Sequence, residues 1–174
     1  MTTQQNDLPI IGRNAAVDFV GHADSVPAKV DTGADSSSVW ASHIKVDQNG
    51  VLSFQLFDVD SPFYTGKVIE TATYKVAVVR SATGHEQIRY KVEFSFRVDG
   101  KRVRATLNLS DRSRNKFPVL IGRRTLSGKF VVDVSKAHYK DVSKIFTIEN
   151  GLLNKELQEN PYNFYKKYYG KDIN

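Results

Sequence analysis

The amino-acid sequence predicts an all-β domain whose short strands close into a barrel. Three observations predict it. Lys91 to Val98 alternates, with Val92, Phe94, Phe96 and Val98 on one face, which is the period of a half-buried strand. Two turn pairs, Asn49-Gly50 and Asp99-Gly100, punctuate such runs; a two-residue type I′ hairpin turn needs positive φ at both central positions, which favours Asn, Asp and Gly. The remaining apolar runs are short and bounded by turn residues, the spacing of a barrel rather than of a helical bundle.

Taken in order, residues 1–8 are polar and read as a disordered leader. Ile10 to Phe19 and Val26 to Val30 read as strands joined by a turn at Gly21-His22-Ala23-Asp24. Asp31 then stands where a strand becomes a loop. After it, Ser36-Ser37-Ser38-Val39-Trp40 feeds another strand, with Trp40, the only tryptophan, read as core. Lys45 to Phe57 carries a hairpin through Asp47-Gln48-Asn49-Gly50, and Asp58 to Gly66 reads as an irregular loop with Pro62.

Thr73 to Val79 and Gln87 to Val98 flank a loop at Ser81 to Glu86, and Arg102 to Leu109 returns with Val103, Ala105, Leu107 and Leu109 inward. Phe117 to Ile121 is an apolar strand leading through Gly122-Arg123 into a short helix. From Ser135 the spacing turns helical, over Ala137 to Phe146 and Asn154 to Tyr169, split by Gly151 and Pro161. The expected division is a leader at 1–8, a β domain at 9–134 and a partly helical C-terminal extension at 135–174. The Tyr162 to Tyr169 stretch interleaves aromatics with lysine; it reads as a packed segment, with stacking on single-stranded nucleic acid as the alternative.

Composition bounds the function. The chain has 174 residues, a net charge of +6 and no cysteine, so a disulfide framework and thiolate metal sites are excluded. No apolar run is long enough to cross a bilayer as a helix, and the N-terminus lacks the basic-then-apolar build of a signal peptide; a cytoplasmic location is expected. His22, His43, His85 and His138 are scattered, without zinc-site spacing and without a phosphate-binding lysine loop. No metal and no cofactor is expected. Arg89 to Lys129 holds twelve Lys/Arg against three Asp/Glu. That block suits an anionic partner, an acidic polypeptide in preference to nucleic acid, or else protects strand edges.

The chemistry is concentrated in Val30-Asp31-Thr32-Gly33-Ala34-Asp35. A carboxylate at a strand end, followed by a hydroxyl and a glycine, is either a plain turn or a reactive group on a rigid support. With Leu120-Ile121-Gly122-Arg123 late in the chain, the pair resembles the signature of retropepsin-like aspartic peptidases. Residues 9 to 139 carry the likeness. Leu109-Ser110-Asp111-Arg112-Ser113 and Gly128 to Asp133 extend it to a bacterial branch often labelled an ATP-dependent zinc protease, commonly encoded with a ribosomal-protein glutamate ligase.

The resemblance implies an acid-protease barrel with a flap hairpin at Tyr74 to Arg97. It implies Asp31, Thr32 and Gly33 as the catalytic loop. Asp31 would hold the water, Thr32 would hydrogen-bond across a dimer, and Gly33 would offer its carbonyl to substrate. Ala34 and Asp35 would line the substrate cleft, with Asp35 tied to Arg123 beside Gly122. Ser81, Thr83 and Gly84 would form the flap tip. Two carboxylates sharing one proton are needed for this chemistry, and the chain has one Asp-Thr-Gly, so a symmetric homodimer is implied.

Two departures stand out. Ile44 to Lys67 is longer than a minimal retropepsin needs. Lys29 stands where that family has an apolar residue, and alternation puts it on Asp31's face. The expected function is an aspartic endopeptidase acting on acidic, glutamate-rich peptides. The alternative is a non-catalytic module of the same fold that binds such peptides.

Overall fold

The computed structural model describes residues 7–80, 84–140 and 144–168, and for 144–150 the backbone alone. Of the expected leader, residues 1–6 lie outside the described residues, as do Ser81, Ala82 and Thr83. The chain divides into two units, one through Tyr139 and one from Lys140.

In the first unit β1 (Ile10–Ile11), β2 (Asn14–Phe19), β3 (Ala23–Asp31), β4 (Ser37–Val46), β5 (Leu52–Leu56) and β6 (Val68–Thr71) come first. Then follow β7 (Lys75–Arg80), β8 (Glu86–Val98), β9 (Lys101–Ser110), β10 (Val119–Gly122), the one-turn helix α1 (Arg123–Leu126) and β11 (Val131–Val132). Strand order β10-β3-β2-β8-β9-β4, with β4 also pairing β10, closes a six-stranded barrel. The expected retropepsin-like barrel is therefore present, with its hairpin of β7 and β8 and its short helix after Gly122.

Alternation places the core. On β8 and β9 the inward residues Val92, Phe96, Val98, Val103, Leu107 and Leu109 are buried, where each contributes about 1.5–3 kcal/mol of transfer free energy. They meet Val17, Phe19, Val26, Val39 and Ile121 in one cluster. Phe19 lies edge-on to Phe57 and Phe94, and Phe57 edge-on to Trp40, which places Trp40 against the core.

Several elements differ from expectation. Ile10 to Phe19 is two strands, not one, broken at Gly12. A Cβ there would lie 2.4 Å from the Lys136 carbonyl oxygen, because residues 133–139 cross at this point. Arg13 N donates to Lys136 O, and buried Asn14 exchanges two hydrogen bonds with the Tyr139 backbone. Ala137 to Tyr139 is for that reason irregular and not helical.

The Asn49-Gly50 turn is not type I′, since only Gly50 has positive φ. Asp47 Oδ1 accepts from Asn49 N and Val51 N and holds another geometry. Asp99 and Gly100 both have positive φ, so the type I′ turn is there. The long segment after β4 forms β5 and β6, an antiparallel extension of the sheet, with fully buried Phe57 directly after β5.

The second unit contains α2 (Lys144–Glu159) and α3 (Pro161–Tyr168). Gly151 does not split the helix; it sits inside α2 with nothing within 4 Å of a built Cβ. Pro161 opens α3, where its missing N–H is no loss. Lys166 lies over the Tyr162 ring and Lys167 over Tyr168, while Lys167 also bonds Glu156. Among the described residues, no helix is long and apolar enough to cross a membrane.

Candidate active site

β3 delivers Asp31 to the barrel surface because its register fixes which residues face out. Val26, Ala28 and Val30 are buried, while Lys29 and Asp31 share the other face. β10 runs parallel beside it, Gly122 level with Asp31. The loop 32–36 is then gripped from the Gly122 side. Arg123 N donates to Ala34 O and Arg124 N to Asp35 O. Gly122 N donates to Ser37 Oγ, which also shares a 2.6 Å hydrogen bond with Thr125 Oγ1, both hydroxyls being buried. A Cβ on Gly122 would lie 2.6 Å from Ser36 O and 2.9 Å from Ala34 O. Only glycine lets the two segments approach this closely.

Asp31 is held in one orientation. Its Oδ1 accepts from Gly33 N and Ala34 N, each at 3.1 Å, and its Oδ2 lies 3.0 Å from Lys29 Nζ. The Lys29 hydrogen bond holds its carboxyl below the usual range, helped by the Lys29 charge and the two backbone donors and opposed by partial burial. The carboxylate stays a quarter exposed. Thr32 and Gly33 are exposed at the turn. A Cβ on Gly33 would meet only Asp31 Oδ1, at an ordinary 3.5 Å, and its φ is not in the left-handed range. Within this chain, neither space nor backbone conformation requires glycine there.

The expected Asp35–Arg123 pair is formed. Asp35 Oδ1 accepts from Arg123 Nε at 3.0 Å and NH2 at 2.8 Å. Arg124 adds a second cation on Oδ2, 2.8 Å away, which sequence reasoning missed although the Arg-Arg pair signals it. The Arg123 hydrogen bond lowers the pKa of Asp35, opposed by desolvation and helped by the Arg124 and Arg123 charges. Both ends of the link are exposed.

The flap hairpin projects beyond the barrel. Val76, Val78 and Ile88 on it are exposed, and Arg80 pairs with Glu86 across the last described rung. Gly84 has positive φ and is exposed; Ser81 and Thr83 lie outside the described residues. At the flap root, Lys75 and Val76 share a cavity of about 340 Å³ with Ser36, Ser37 and Arg124. Nothing in the linear sequence signals that cavity. Among the described residues there is no group of three or more His, Asp or Glu side chains able to hold a metal ion.

The closed barrel, the projecting β7–β8 hairpin and the Asp-Thr-Gly loop gripped beside Gly122 define a retropepsin-like protein. The chain belongs to the RimB-like family, described as retropepsin-like aspartic endopeptidase RimB, whose profile matches residues 10–142. A structure of a Legionella pneumophila protein of unknown function superposes with a TM-score of 0.58 at 24% identity, covering 74% of this chain and 95% of that one; this shows the fold. Proteins named probable alpha-L-glutamate ligase from Shewanella pealeana and Shewanella halifaxensis are each 28% identical over 119 residues. The match takes in 65% of this chain and spans a quarter of the length of those relatives.

Proposed function

We propose that the protein is an aspartic endopeptidase in which Asp31 from two copies forms one catalytic pair. The observation that carries the reading is the Asp31 carboxylate, fixed by two backbone N–H groups beside Gly122 and left partly open next to the exposed Gly33. One carboxylate cannot be acid and base together. A facing Asp31 supplies the partner: the ionised oxygen removes a proton from water while the protonated one donates to the scissile carbonyl. The water oxygen adds to the carbonyl carbon, and the amine leaves with a proton from the pair.

Lys29 sets both the protonation and the substrate. Its ammonium beside Asp31 favours the ionised carboxylate and moves the shared-proton state to lower pH. When substrate enters, the same ammonium is placed to receive an acidic side chain. The Shewanella relatives are named probable alpha-L-glutamate ligases, and a glutamate side chain is one that Lys29 would suit. This supports an acidic, glutamate-rich substrate.

A second reading follows from the same ion pair. With Asp31 held ionised by Lys29, the module binds acidic peptides without cutting them. Wild type and Asp31→Asn, purified alike and incubated with a diverse peptide library from acidic to neutral pH, separate the two. Cleavage by wild type alone supports the peptidase. Cleavage by neither, from dimeric protein, supports the binding module, and equal cleavage removes Asp31 from the reaction.

A further inference from the structure

We propose that the cavity at the flap root is a second acidic subsite, where Lys75 and Lys91 receive one carboxylate side chain of the substrate away from the bond that is cut. The proposal rests on the peptidase reading and extends it to residues outside the catalytic loop.

The lining of this cavity carries four cations, Lys75, Lys91, Arg104 and Arg124, and no carboxylate. Two of them are already satisfied. Arg104 bonds Glu93, and Arg124 bonds Asp35. The two lysines are not: among the described residues neither has a carboxylate within ion-pair distance. They are also directly opposite each other on β7 and β8. Opposite residues of an antiparallel pair stand about 4.5–5.5 Å apart at Cβ, and like charges there are destabilising.

Lysine on an edge strand normally serves as edge protection, pointing into solvent. Here both side chains line a concavity, Lys91 half-buried and Lys75 exposed at its rim. A neighbouring cavity shares both lysines and Thr106 and adds Glu93, but Glu93 is already engaged by Arg104. An arriving carboxylate, with two oxygens, would match the two ammonium groups and relieve their repulsion. Ser36 follows the catalytic loop directly and lines the same cavity, so an extended peptide leaving Asp31 along that loop reaches it.

The test is a position scan. Single glutamates are moved along an otherwise Gln-containing peptide, and kcat and KM are measured for wild type, Lys29→Met and Lys75→Met/Lys91→Met. Wild type is expected to favour glutamate at two separate positions. The double flap-root substitution is expected to lower the Glu-over-Gln preference at the farther position by about tenfold or more, through KM, the effect of losing a charge-assisted hydrogen bond. Lys29→Met is expected to act on the nearer position instead. Unchanged preference in the double variant, or equal loss at both positions, overturns the subsite.

Binding of an uncut acidic peptide to Asp31→Asn, with and without the two flap-root substitutions, reads the subsite without catalysis. Binding about tenfold weaker in the latter supports it, and equal binding refutes it. If wild type cuts nothing, the peptidase reading fails while this binding comparison still decides the subsite.

Discussion

Removing the Ser37 hydroxyl should loosen the Asp-Thr-Gly loop from within. Ser37 Oγ accepts from Gly122 N at 2.9 Å and shares a 2.6 Å bond with Thr125 Oγ1, and all three groups are buried. Ser37→Ala leaves a backbone donor and a hydroxyl without partners. A buried unsatisfied group costs about 1–3 kcal/mol, so the two together should cost about 2–6 kcal/mol. Thr125→Val keeps the volume and leaves Ser37 its Gly122 donor, and should cost about 1 kcal/mol. The double variant should fall short of additivity by about 1 kcal/mol, because both substitutions remove the same bond. Trp40 is the only tryptophan and packs against Phe57, so its fluorescence reports on the barrel alone during urea unfolding. With a slope of about 2 kcal/mol/M, Ser37→Ala should lower the midpoint by roughly 1–3 M. A midpoint equal to wild type, or strict additivity in the double variant, would refute the idea that this hydroxyl network holds the loop.

Other substitutions test other links. Gly122→Ala should cost about 1–3 kcal/mol or more, since its Cβ meets backbone oxygens at 2.6 and 2.9 Å that cannot move aside; thermal unfolding measures it. Gly151→Ala should stabilise the second unit by about 0.5–1 kcal/mol, because the site is open and helical, and helical circular dichroism of the full chain on heating should show it. Lys29→Met should raise the Asp31 pKa, read by carboxyl NMR titration. In the folded protein Asp31 is depressed, so the stability it contributes is present above its unfolded pKa and lost as pH falls through the folded one; Lys29→Met should shrink that acid-range loss. The same substitution should move the alkaline limb of any cleavage profile to higher pH, since the shared proton is then held more tightly.

Much of this arrangement was legible in the sequence because it is local. Alternation in Lys91 to Val98 gave the buried face of β8, and the parity of Lys29 and Asp31 gave their shared face, now seen as a 3.0 Å ion pair. The Asp35–Arg123 link followed from the resemblance. What stayed hidden depends on distant segments. Gly12 reads as an ordinary strand residue until Lys136 crosses it, and Tyr139 reads as helical until Asn14 captures its backbone. Asn49-Gly50 carried the preferred dipeptide of one turn, yet Asp47 selected another by accepting two backbone hydrogens. Lys75, Lys91 and Arg104 lie on the consecutive strands β7, β8 and β9, and only tertiary folding brings Arg124 of α1 to the same cavity.

The central claim is that one active site needs Asp31 from two chains. It is tested most directly by unfolding and refolding a fixed amount of wild type together with increasing Asp31→Asn, then measuring cleavage of a glutamate-rich peptide. If mixed pairs are inactive, a tenfold excess of the variant should leave roughly a tenth of the activity, the fraction of wild type still paired with itself. Activity that stays constant as the variant is added would mean that each chain works alone, and the shared Asp31 pair would be wrong.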